Sequence, residues 1–133
     1  NININQISKV YAVNNSQYNE VWWFYPSAGS NENDSYVSWD YVENHWTIGT
    51  LARTAGTDRG VFRNPIMIGT DRYIYDHEVG LNYSGALPYA ETGPFQIGNG
   101  DQVLYINEMI PDERNQGSVS ATFKTRYYPT SAE

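Results

Sequence analysis

The stretch Val21-Trp22-Trp23-Phe24-Tyr25 decides the fold class of this chain, because it has no polar residue at any alternate position. Side chains of a β-strand point alternately to the two faces of a sheet, so a strand with one wet face alternates apolar and polar residues. An unbroken apolar and aromatic run therefore predicts a strand that is covered on both faces. Such a strand lies inside a β-sandwich, or in a propeller blade between two other blades.

The rest of the chain supports a β-rich fold. No window of about a dozen residues carries apolar positions at helical spacing, and turn formers interrupt the chain about every ten residues. We therefore predict an all-β fold of antiparallel sheets, β-propeller-blade-like or β-sandwich-like, with no substantial helix. The predicted strands cover residues 9–13, 20–25, 35–43, 45–49, 65–68, 72–77, 102–110 and 118–128.

The length of 133 residues predicts a single β-rich domain. Residues 1–80 are expected to form a blade-like part, and residues 81–133 a long loop followed by a C-terminal hairpin. The segment that begins at Asp34 is echoed by one that begins at Asp71, a spacing near the roughly 40 to 50 residues of propeller blades. A complete propeller has at least about four blades, and the chain opens at Asn1 instead of Met. We therefore expect it to be part of a longer chain.

Composition excludes several classes of function. The chain has 8 basic and 15 acidic residues, a net charge of −7, and its two lysines are Lys9 and Lys124. A phosphate-binding surface needs clustered basic side chains, so we expect no sequence-specific nucleic-acid partner and no anionic membrane partner. The absence of cysteine excludes disulfides, thiolate metal sites and cysteine nucleophiles. No apolar run approaches the roughly 20 residues of a membrane span.

Catalytic signatures are weak. No Gly-x-Ser-x-Gly motif occurs. The acid pairs that could serve glycoside hydrolysis are Asp76 with Glu78, Asp40 with Glu43, and Asp112 with Glu113. Asp76 and Glu78 share a face if both lie in one strand, as an acid pair would, but 15 acidic residues in a β protein produce such spacings in any case. A glycan-degrading enzyme fragment that uses them is therefore the least favoured hypothesis. We predict no catalytic residue, and a protein that is not an enzyme.

Metal and cofactor sites are not predicted either. His45 and His77 are the two histidines, far apart in sequence and without metal-ligand spacing. The turns Asn31-Glu32-Asn33-Asp34 and Gly98-Asn99-Gly100-Asp101 have oxygen-rich side chains that suit either calcium or simple turn hydrogen bonds. The second interpretation is favoured, and no metal and no cofactor is assigned.

The tryptophans allow two interpretations. Trp22, Trp39 and Trp46 could form a stacking platform for a carbohydrate-binding module, or they could belong to the core. The unbroken apolar run favours the core. Trp23, which shares a strand face with Val21 and Tyr25, is expected to be structural.

The ordered set of motifs resembles structural proteins of tailed bacteriophages, the tail or neck proteins of the packaged-DNA stabilisation or tail-hub-like kind. The similarity spans residues 7–129. It is carried by Val21-Trp22-Trp23-Phe24-Tyr25-Pro26-Ser27, Glu32-Asn33-Asp34-Ser35-Tyr36-Val37, His45-Trp46-Thr47-Ile48-Gly49, Arg53-Thr54-Ala55, Asp76-His77-Glu78-Val79-Gly80, Glu91-Thr92-Gly93-Pro94, Gly98-Asn99-Gly100-Asp101, Ile110-Pro111-Asp112 and Lys124-Thr125-Arg126-Tyr127-Tyr128-Pro129.

The resemblance implies an architectural protein of the virion tail or neck, with propeller-like and sandwich-like parts and no catalytic residues. Its implied partners are other tail or neck proteins, together with copies of itself in a homo-oligomeric ring of the full-length protein. Aromatic residues are enriched at protein interfaces, so Tyr83, Tyr89 and Phe95 are the candidate contact residues. The alternative is that their segment covers an open sheet edge of its own domain.

Overall fold

The apolar run lies in β2 (Glu20–Tyr25), an inner strand of a four-stranded antiparallel sheet. The other strands of this sheet are β1 (Tyr11–Asn15), β3 (Ser35–Asp40) and β4 (His45–Thr50). Their order in space is their order in sequence, β1-β2-β3-β4, so the sheet is an antiparallel meander. Four-residue turns join β1 to β2 and β3 to β4, and each ends on an asparagine with left-handed backbone, Asn19 and Asn44.

This description rests on a computed structural model that describes residues 1–81, 87–95, 103–110, 112, 117–126 and 128. They fall into two units, Asn1–Gly85 and Ala86–Glu133. In the first unit a 3-10 helix (Ile4–Lys9) precedes β1, so the strand predicted from residue 9 begins at Tyr11 instead. No helix among the described residues is long and apolar enough to cross a membrane.

A second antiparallel sheet consists of β5 (Arg53–Thr57), β6 (Ile66–Gly69) and β7 (Ile74–Asp76), again in sequential order. The sequence did not predict β5, whose residues Arg-Thr-Ala-Gly-Thr show no apolar alternation. Its small side chains let neighbouring groups approach closely: a Cβ added at Gly56 would lie 3.0 Å from Met67 Cγ and 3.6 Å from Val13 Cγ2. The strand therefore follows from pairing and close packing more than from its own residues.

The core of the first unit lies between the two sheets. Phe24 is fully buried and packs with Val13 from β1 and Met67 from β6. Tyr11 stacks on Phe24 with ring centroids 5.2 Å apart. Burying these apolar surfaces is the main stabilising contribution to this unit. The all-β class and the antiparallel sheets are thus confirmed.

The second unit differs from what the sequence predicted. The described residues of 103–110 and 118–126 contain no strand, although both segments were predicted to be strands, so the expected C-terminal hairpin has no counterpart in that part of the chain. The side chains described there are exposed, including Val119 and Phe123. A segment with alternating apolar and polar residues forms a strand only where a partner strand pairs with its backbone and a second layer covers its apolar face.

Candidate functional site: an exposed aromatic face

The strand register places an aromatic and aliphatic surface on the side of the four-stranded sheet that faces away from the core. Trp39 lies opposite Val21 on one neighbour and opposite Trp46 on the other. Val37 lies between Trp23 and Ile48 in the same way. Directly paired residues point to the same face of a sheet. We call this surface the outer face; its residues are Val21, Trp23, Val37, Trp39, Trp46 and Ile48, with Tyr41 at its margin.

Four aromatic rings of the outer face form a continuous row. The ring centroid of Trp46 lies 5.8 Å from that of Trp23 and 5.9 Å from that of Trp39. Tyr41 meets Trp39 edge-on at 6.2 Å. The indole nitrogen of Trp39 donates a hydrogen bond to Asn44 Oδ1 at 3.3 Å, which orients this ring. The row is therefore a semi-rigid surface held by mutual ring contacts.

The outer face is open to solvent along β4. Trp46 is 62% exposed and Ile48 is 70% exposed. Trp23 and Trp39 are half-buried, since neighbouring side chains of the sheet cover their flanks. The prediction that β2 is fully covered on both faces is therefore wrong for this side: Phe24, on the opposite face, is buried completely, and Trp23 is not.

The three tryptophans predicted as a carbohydrate platform lie on two different faces of the four-stranded sheet. Trp39 and Trp46 stack on each other on the outer face. Trp22 lies on the opposite face, where it stacks on Tyr36 at 4.6 Å and its indole nitrogen donates to Glu20 Oε2 at 2.7 Å. Strand parity supplies the signal that separates them, because Trp22 and Trp23 are consecutive residues and must point to opposite faces. Trp23 takes the third place in the row.

The predicted interface residues lie elsewhere. Tyr89 and Phe95 are 79% and 74% exposed, in the second unit. Tyr83 lies outside the described residues. Their exposure is compatible with contact to a partner, but no stacked row of rings comparable to the outer face involves them among the described residues.

Of the three predicted acid pairs, Asp76 with Glu78 and Asp40 with Glu43 lie wholly within the described residues. Strand β7 ends at Asp76, and Glu78 follows with a left-handed backbone, φ 58°, so the shared strand face assumed for them does not exist. Asp40 Oδ1 accepts hydrogen bonds from the backbone nitrogens of Val42 and Glu43, both at 2.8 Å, and these bonds lower its pKa. Asp40 therefore shapes the β3–β4 turn. Asp112 is exposed, and residue 113 lies outside the described part.

The oxygen-rich turn at 31–34 serves the fold. Asn33 is buried and its Nδ2 donates to the carbonyl of Lys9 at 2.8 Å. Asp34 accepts two hydrogen bonds from Ser27, one from the backbone nitrogen and one from Oγ, each at 2.7 Å. These bonds close the long β2–β3 connection. The second predicted turn, residues 98–101, lies outside the described residues.

A separate polar cluster links β5 to β7 and to the β6–β7 turn of the three-stranded sheet. Arg53 Nε donates to His77 Nε2 at 3.0 Å, and the guanidinium carbon of Arg53 lies 4.2 Å from the centre of the Tyr75 ring. The phenol of Tyr75 donates to Asp71. Burial, reinforced by the charge of Arg53, lowers the pKa of His77 to about 4. Because Nε2 of neutral His77 accepts the hydrogen bond from Arg53, its lone pair is not available to a metal ion.

No family model, curated protein or solved structure matches this chain. The function of the chain is therefore inferred from its own residues, above all from those of the outer face.

Proposed function

We propose that this chain is a structural component of a bacteriophage tail or neck and acts through protein–protein contacts in the virion. The observation that carries the proposal is the outer face, a row of four aromatic rings that lies beside the exposed aliphatic side chain of Ile48. Large contiguous apolar patches on protein surfaces mark interaction sites, and Trp and Tyr are enriched at the centres of interfaces.

The topology supports the same proposal. A sequential four-stranded sheet with a second sheet on its inner face is how neighbouring propeller blades pack, and an inner blade carries another layer on its remaining face. In this proposal a neighbouring protein or another copy of the chain covers the outer face, as in a ring of the tail or neck. The net charge of −7 would repel packaged DNA, so DNA could pass this protein without adhering to it. No catalytic role is proposed.

Virion membership can be tested with two matched double variants. Trp46→Ser with Ile48→Ser removes the most exposed part of the outer face, while Val61→Ser with Phe62→Ser changes exposed apolar residues of the β5–β6 connection as a control. We expect both variants to remain folded, and the outer-face variant to melt at a somewhat lower temperature than the parent, because Trp46 contacts Trp23 and Trp39. Quantitative mass spectrometry of purified phage particles should find the control at parental copy number and the outer-face variant depleted at least about tenfold. Equal incorporation of both variants, or absence of the parent chain from particles, would refute the proposal.

The second candidate is a carbohydrate-binding module, which is favoured by one specific observation. Trp46 exposes most of its surface and is flanked by Trp23 and Trp39, so it can stack on a sugar ring. Iodide quenching of tryptophan fluorescence, with and without glycans, separates the candidates. Glycan protection that disappears in Trp46→Ser would establish this function in place of the structural one.

A further inference from the structure

Strand β4 forms an open edge of the four-stranded sheet. On one side it pairs with β3, residue by residue from His45 to Thr50 and without a bulge. No strand among the residues that the structure describes pairs with its other side. Alternate backbone N–H and C=O groups of an antiparallel edge strand point away from the sheet. The edge of β4 therefore presents hydrogen-bonding groups to any strand that reaches it.

The sequence of β4 lacks the features that protect edge strands from pairing. Proteins protect such edges with lysine and other charged side chains, with proline, with bulges, or with very short strands. The sequence His-Trp-Thr-Ile-Gly-Thr has no acidic residue, lysine, arginine or proline, and its aromatic and β-branched side chains favour strands. Trp46, Thr47 and Ile48 are all exposed. Strand β4 is therefore suited to pair with a further strand.

The other sheet edges of the first unit are less open. Asp58, the residue after β5, accepts hydrogen bonds from the backbone nitrogen of Ser16 and from Asn14 Nδ2, both at the end of β1. Strand β5 carries Arg53 and has an irregular register with β6, and β7 has three residues and ends at Asp76. Among the strands of the described ranges, β4 alone combines an open edge with regular pairing and an uncharged sequence.

The chemistry of β4 favours a second copy of the same strand as its partner. The chain has a net charge of −7, so most approaches of two copies bring acidic surfaces together. Two antiparallel copies of β4 place no acidic side chain opposite another. Two-fold pairing uses the same surface on both copies and closes, so it does not continue into a fibre.

Two-fold symmetry restricts the register of such a pair. The axis that relates two antiparallel copies of one strand is perpendicular to the sheet, so residues of the same face lie opposite each other. With the axis at Thr47, Trp46 of each copy lies opposite Ile48 of the other, and such aromatic and β-branched pairs stabilise sheets. An axis at Ile48 would place Trp46 opposite Thr50. An axis at Trp46 would place Ile48 opposite Asn44, outside the strand.

We propose that two copies of this chain pair antiparallel through β4, with the Thr47 residues of the two copies opposite each other, to form one eight-stranded sheet. The outer faces of the copies then lie on the same side and join into one apolar surface, because Trp46 and Ile48 meet across the axis. The interface is small, so the dimer is weak and reversible. The proposal concerns the sheet edge and holds whether or not the chain belongs to a virion.

Single-cysteine variants test the pairing and its register, since the chain contains no cysteine. Directly opposite residues of antiparallel strands have Cα atoms about 4.5 to 5.5 Å apart, within the range of a disulfide. Thr47→Cys should therefore give a disulfide-linked dimer on mild oxidation of the intact chain. Thr50→Cys is the matched control, an exposed threonine of the same strand that lies about 20 Å from its symmetry mate in this register. It should remain monomeric, and an equal yield of linked dimer from both variants would overturn the proposal.

Sedimentation velocity measures the dimer without a cross-link. The parent chain should show a monomer–dimer equilibrium between about 10 μM and about 1 mM. Thr47→Lys places two positive charges opposite each other at the axis and should weaken dimerisation by at least about fivefold. Thr70→Lys adds the same charge in the exposed β6–β7 turn and should dimerise as the parent does. Circular dichroism verifies that each variant is folded.

Two results of the sedimentation experiment would overturn the proposal. One is a parent chain that stays monomeric up to about 1 mM, as expected if another segment of the chain covers the edge. The other is a dimer that Thr47→Lys leaves unchanged. Neither result bears on the outer face as a contact surface, because Thr47 points to the opposite face of the sheet from Trp46 and Ile48.

Discussion

Acidification from pH 7.5 to pH 5 is expected to destabilise the first unit through His77. The imidazole is half-buried beside β7, and its Nε2 accepts a hydrogen bond from Arg53 Nε at 3.0 Å. A proton on Nε2 would abolish this bond and place two positive charges in contact. Burial, and then the charge of Arg53, therefore lower the pKa of His77 to about 4, against the weaker opposing effect of Asp76.

The size of the effect follows from the two pKa values. An unfolded chain has a histidine pKa of about 6.5. Above that pH His77 is neutral in both states and its contribution to stability is fully present. As the pH falls below about 6.5, only the unfolded state binds the proton, so stability is lost until the native ring titrates near pH 4. Between about pH 6.5 and pH 5 the unscreened loss of stability is about 2 kcal/mol, since each pH unit corresponds to about 1.4 kcal/mol. Because solvent screens a half-buried ring, we expect a loss of about 1 kcal/mol.

Urea denaturation at the two pH values measures this quantity. His77→Gln is the informative variant, because an amide oxygen can accept from Arg53 at either pH and does not titrate. Its free energy of unfolding should fall by about 1 kcal/mol less than that of the parent between pH 7.5 and pH 5. The replacement of the exposed His45 by Gln is the matched control for the exchange of a histidine for glutamine. An identical pH dependence of parent and His77→Gln would refute the reasoning.

Two further predictions concern the four-stranded sheet, and both are measured by urea denaturation. Phe24→Ala should lower the free energy of unfolding by about 3 to 5 kcal/mol, because it opens a cavity in the core. Trp23→Ala, on the half-buried outer face, should lower it by about 1 to 2 kcal/mol. Equal losses would contradict the assignment of faces. Gly49→Ala places a Cβ 2.5 Å from the Tyr36 ring and should lower the free energy of unfolding by about 1 to 3 kcal/mol. Gly60→Ala is the control, because a Cβ at residue 60 has open space around it and makes no clash. Similar stability of both variants would exclude the clash at Gly49.

The strongly patterned strands could be predicted from the sequence. Strand β2 follows from its apolar run and β4 from the turn at Asn44, whose left-handed backbone asparagine tolerates. Strand β5 could not be predicted, because residues 53–57 have little strand preference of their own. Their place is fixed by pairing with β6 and by the close approach of Met67 to Gly56, a contact between distant positions.

The candidate site was predictable in part. The structure shows that Trp39 and Trp46 stack on each other, and their role as a carbohydrate platform stays a prediction. Trp22 was grouped with Trp39 and Trp46 although it lies on the opposite face of the sheet. An all-apolar strand does not indicate which set of alternating residues faces the core. That choice depends on the second sheet, which covers Phe24 and leaves Trp23 outside.

The sequential order of strands in both sheets has a consequence for folding kinetics. Every strand among the described residues pairs only with a neighbour in sequence, and the connections between paired strands have nine residues or fewer. Closing such loops has a low entropic cost, and β-hairpins form within about 1 to 10 microseconds. The contacts that bring Met67 against Val13 and Phe24 span a much longer stretch of chain. We therefore expect the four-stranded meander to form early, as soon as residue 50 has left the ribosome, and the docking of β6 onto its inner face to limit the folding rate.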